Sequence, residues 1–88
     1  MDDDPRYAVA LKYNKERDAS PRVIAAGQGE TADRIVEKAD AAGVPLYEDG
    51  SLAALLVNTP LHEEIPPELY EAVAEVLVFI YYLDQRLK

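Results

Sequence analysis

Cysteine is missing from this sequence of 88 residues, which rules out a disulfide-stapled secreted scaffold and any thiolate metal or redox site. Apolar packing alone has to hold the fold. Long hydrophobic runs are missing too: none approaches the roughly 18 residues that span a bilayer. The opening Met-Asp-Asp-Asp has neither the basic start nor the apolar centre of a signal peptide. A cytoplasmic protein is the expectation. Positive charge is scarce, with 9 Lys and Arg against 17 Asp and Glu, and a net charge of −8 repels phosphate backbones and anionic lipid surfaces. No nucleic-acid partner is expected, and any membrane association should run through other proteins.

What is present is 49% hydrophobic residues with clear periodicity. A chain this short supports one core, so a single domain over residues 1–88 is expected, with 1–6 a disordered or extended tail. Tyr7, Val9, Leu11 and Tyr13 alternate with Ala8, Ala10 and Lys12, the period of a strand. The polar stretch from Asn14 to Pro21 returns the chain into a second strand, "RVIAAG", antiparallel to the first. Gly27 and Gly29 break that strand. Thr31 is then the candidate cap of a helix carrying Ala32, Ile35, Val36 and Ala39, which Gly43 ends. "VPLYE" at 44–48 reads as a short strand, so residues 22–48 predict a βαβ unit with parallel strands.

Asp49 or Ser51 can cap a second helix bearing Leu52, Leu55 and Leu56, stopped by Asn58-Thr59-Pro60. "LHEEIPP" is read as a linker, and Pro66-Pro67 opens a last helix running to about Arg86. On that helix Leu69, Val73, Val76, Ile80, Leu83 and Leu87 form one apolar seam. A second row holds Tyr70, Ala74, Leu77, Val78 and Tyr81, so the helix is either buried on two sides or offers one to a partner. The fold class predicted is α/β: a small mixed β-sheet flanked by α-helices.

Catalytic and metal chemistry find little support. His62, the only histidine, stands beside Glu63 and Glu64, but successive residues of an extended linker diverge instead of converging on a metal. "GQGE" at 27–30 lacks the third glycine and the lysine of a phosphate loop, and Glu30 and Asp33 would repel phosphate there. Paired carboxylates at Glu63/Glu64 and Glu48/Asp49 have no evident pocket to shift their pKa. No catalytic residue, metal site or cofactor is assigned.

Four fragments, "YAVALKYN", "PRVIAAG", "AGVPLYEDGSLAALL" and "EEIPPELYEAVAEVLVFIYYL", occur in an order that resembles the cytoplasmic domain of the FlhB/YscU family. These are the substrate-specificity switch components of flagellar and virulence type III secretion systems. The resemblance covers about residues 7 to 83, and "IPPELYEAVAEVL" is its most specific part. It implies a non-enzymatic binding module of the export apparatus, at its cytoplasmic face, whose partners are export-gate proteins and export substrates. In that family a membrane domain and an Asn-Pro-Thr-His motif, cleaved between Asn and Pro, precede the first of these strands. Here Asp3, Asp4, Pro5 and Arg6 stand in that place, so no autocleavage is assigned.

The resemblance also implies a surface where substrates dock a short apolar motif, which carries over to Ser20, Pro21, Ala74 and Leu77. The family's preceding strand has no counterpart, so Tyr7, Val9 and Leu11 are expected on an edge. A strand from a truncated FlhB-like membrane protein, or a second copy of this chain as a homodimer, would fill it. Two departures stand out: Ala26 replaces a lysine usual in the family, and the second helix has no basic residue. The alternative is a small acidic ligand-binding or enzymatic α/β domain unrelated to secretion, with a pocket near the Gly27 to Thr31 turn.

Overall fold

Alternation of apolar residues produces strand β1, Tyr7–Lys12, and strand β2, Arg22–Gln28, pairs with it antiparallel, Tyr7 opposite Gln28 and Val9 opposite Ala26. The computed structural model describes residues 6–14 and 16–86; the expected tail at 1–5, and Leu87 of the helical seam, lie outside the described residues. Arg6, assigned to that tail, is held in place. Its carbonyl accepts the Gly29 N–H at 2.9 Å and its guanidinium pairs with Asp33 at 2.7 Å. The register shifts between Ala10 and Leu11, leaving Ile24 as the extra residue of a β-bulge.

Period two gives the sheet two unlike faces. Small residues occupy one: Ala8 pairs with Gly27 and Ala10 with Ala25. Helix α1, Glu30–Ala41, packs across both strands, with Ala8 and Ala32 buried. A Cβ at Gly27 would overlap the Thr31 side chain, so glycine is what allows this close approach. Thr31 therefore sits inside α1 and does not cap it; the cap is Gly29, at φ 64°, with no side-chain hydrogen bond.

On the other face Val9, Leu11 and Ala26 pack against a core of Val23, Leu52, Leu56, Ile65 and Val73. Helix α2, Gly50–Leu56, supplies the two leucines, and its Asp49 cap accepts the Leu52 N–H at 3.1 Å. A single turn of 3-10 helix, Pro67–Leu69, leads into helix α3, Tyr70–Arg86, whose Val73, Val76 and Leu77 meet the same core.

Two expectations are corrected. Residues 44–48 form no strand, and among the described residues the sheet is two-stranded and antiparallel, so the βαβ unit is not completed. The cause is local. Gly43, at φ 75°, ends α1 with its N–H on the Asp40 carbonyl, and the Val44 N–H goes to Ala39 at 2.9 Å. Pro45 has no N–H, so two successive residues lack a donor for a ladder. Conversely, the supposed linker is structured. The His62 N–H donates to the Val23 carbonyl, the Val23 N–H to Glu63 at 3.0 Å and the Ile65 N–H to Pro21 at 3.0 Å. This segment pairs with the outer side of β2 at its start, around Val23.

Candidate functional site

The β1–β2 loop and α3 enclose an apolar groove of about 370 Å³. Tyr13, Ala19, Ser20 and Pro21 come from the loop; Tyr70, Ala74, Leu77 and Val78 come from α3; Val73 and Ile65 contribute from the core side. All four residues of the expected substrate surface, Ser20, Pro21, Ala74 and Leu77, thus line one groove. Helical spacing explains the α3 wall, since residues three and four apart stack along one stripe. The stripe neighbours the core-facing Val73 and Val76 and continues past the groove into Tyr81, 67% exposed.

The Ser20 hydroxyl is already committed. It is buried and donates to Glu64 Oε1 at 3.2 Å. Glu64 also meets the Arg22 guanidinium, which in turn contacts Asp18 at 3.3 Å and donates to the His62 carbonyl at 3.0 Å. These bonds brace the loop wall against the segment that follows α2. The Asp18 carboxylate is held below its usual pKa, first by the Asn14 N–H and then by Arg22. The groove therefore offers shape and apolar surface.

Sequence reasoning had Tyr70 and Val78 in the second helical row but missed Tyr13 and Ile65. Ile65, 2% exposed, lay in the segment read as linker; a lone aliphatic between Glu-Glu and Pro-Pro was the available signal. Among the described residues no three His, Cys, Asp or Glu side chains group to hold a metal. No helix among them is long and apolar enough to cross a membrane.

A different feature runs along β1. The Arg6 carbonyl bonds to Gly29 opposite it, and antiparallel pairs alternate, so the backbone groups of Tyr7 and Val9 turn away from β2. Because the bulge lies on β2, the alternation carries on to Leu11. Among the described residues no backbone group pairs with this outer row. After α1, Val44, Leu46 and Tyr47 are each close to half exposed, Tyr47 meeting Phe79 edge to face at 5.3 Å.

Comparison with known proteins agrees with this architecture. The Bacillus subtilis protein YlqH is 48% identical over 83 residues, covering 94% of this chain and 89% of YlqH. The flagellar biosynthetic protein FlhB of Aquifex aeolicus is 38% identical over 81 residues, 91% of this chain but 23% of FlhB, so the chain spans under a quarter of that relative's length. The crystal structure of the cytoplasmic domain of FlhB from Shewanella putrefaciens superimposes with a TM-score of 0.82 at 37% identity, over 89% of this chain and 66% of that one. The model of the FlhB HrpN YscU SpaS family matches residues 4–80, and with sequence, architecture and solved fold in agreement, the chain belongs to that family.

Proposed function

We propose that this chain is a non-enzymatic binding module of a type III protein export apparatus, stationed at the cytoplasmic face, that docks short apolar segments of export substrates. One observation carries the reading. Ser20, Pro21, Ala74 and Leu77, far apart in sequence, line a single apolar groove whose α3 wall stays largely exposed. Exposed contiguous apolar surface of this kind marks an interaction site. Pull-down of flagellar or virulence export substrates by the full chain tests it. Binding that is lost in Ala74→Gln while the circular dichroism spectrum is kept supports docking. Equal capture by both proteins overturns it. A thermal-shift screen separates the small-molecule alternative, because a metabolite bound at 100 times its Kd would stabilise the fold by about 2.7 kcal/mol.

A second reading concerns the open outer row of Tyr7, Val9 and Leu11. An unpaired strand edge recruits an extended segment through main-chain hydrogen bonds. Either a strand from an FlhB-like membrane protein or a second copy of this chain would fill it. Light scattering on the full chain distinguishes the two, a dimer favouring the second copy. A monomer that binds no strand-bearing fragment of the export gate removes both.

A further inference from the structure

The groove has two electrically unlike walls. On the loop side Asp18 and Glu64 both meet Arg22. The α3 side differs. Between Lys38 and Arg86 the sequence has no Lys or Arg, and neither Glu71 nor Glu75 has a cation partner among the described residues. Glu71 has a structural reason to be acidic, because it lies in the first turn of α3, where the helix dipole favours negative charge. Glu75 is a turn further on, where that effect has faded. It follows Ala74 directly and lies three residues before Val78, so it borders the stripe that lines the groove.

We infer that the segment docking in this groove carries a Lys or Arg beside its apolar centre, and that Glu75 pairs with that cation. The inference rests on the docking reading above and adds the charge of the occupant to it. A second copy of this chain is a poor occupant here, since each copy carries a net charge of −8. An apolar segment flanked by basic residues satisfies both the apolar floor and the uncompensated helix rim.

Two fluorescein-labelled peptides with the same Val-Leu-Ala-Leu centre, one flanked by lysines and one by glutamates, test it by fluorescence anisotropy with the full chain. The lysine peptide should bind more tightly. Glu75→Lys should weaken it about three- to tenfold at low salt, and the difference should shrink at ~0.5 M salt. This variant should stay folded, because the introduced lysine would form a favourable i,i+4 pair with Glu71. Glu37→Lys, on exposed α1, changes the net charge equally and should leave affinity nearly unchanged. Equal effects of the two variants, or equal binding of the two peptides, overturn the inference. If both peptides bind alike and Ala74→Gln abolishes both, docking stands and only the charge rule falls. If neither peptide binds, the inference falls, and loss of export-substrate capture as well brings down the docking reading with it.

Discussion

Val73 and Ala74 are neighbours in sequence with opposite surroundings, and this contrast gives the sharpest test of how α3 is set. Val73 is 1% exposed in the core, whereas Ala74 is exposed on the groove wall. Val73→Ala removes two buried methyl groups, each about 0.8 kcal/mol in transfer free energy. The cavity left behind brings the cost to about 2–3 kcal/mol. In a domain of this size each kcal/mol lowers Tm by roughly 4–8 °C, so a fall on the order of 10–20 °C is expected. Ala74→Gln changes only helix propensity at an exposed position, about 0.4 kcal/mol, and should move Tm by no more than ~3 °C. Its longer side chain nonetheless occupies the groove. Urea unfolding followed by far-UV circular dichroism measures both, with pull-down of export substrates alongside. Comparable destabilisation by the two variants would mean that α3 is rotated from the orientation described and that the groove is part of the core. A neutral Val73→Ala would refute the packing itself.

Three further outcomes follow from individual contacts. Asp18 has a lowered pKa in the folded state, so its contribution is present above the unfolded value and lost as pH falls through the folded one. Stability should drop below about pH 4, and Asp18→Asn should flatten that part of the profile in urea titrations at several pH values. His62 holds φ at 70°, so His62→Val should cost about 1–2 kcal/mol while His62→Gly should not destabilise; equal losses in thermal unfolding would argue against the backbone assignment. Thr59 Oγ1 is buried with no hydrogen-bond partner among the described residues, so Thr59→Val should be neutral or stabilise by about 1 kcal/mol, and a clear loss would reveal a bond to that hydroxyl.

The elements most legible in the sequence were those with a strong internal period. The alternation from Tyr7 to Lys12 folds as strand β1, and Leu69, Val73 and Val76 of the seam meet the core as read, because period alone decides which side of a strand or helix is apolar. Asp49 was one of two possible caps and is the one used. Residues 44–48 misled because their composition suits a strand, while pairing depends on donors that the Gly43 turn and Pro45 remove. The segment at 62–65 misled in the opposite direction: its polar residues look like linker, yet their backbone groups pair with the start of β2. As for the site, the second row on α3 showed that one helix face was in surplus, but not that it would stay open.

By itself, the sequence determined the strand and helix faces, the absence of cysteine chemistry, the strongly acidic charge and the family. Each of these depends only on residue type and spacing along the chain. Tertiary structure alone decided that Ser20 and Pro21 stand across a groove from Ala74 and Leu77, and that the start of β2 is paired by residues 62–65 while the outer row of β1 stays open among the described residues. Those are relations between segments distant in sequence. They are settled by which backbone donors and apolar faces find partners once the chain has packed.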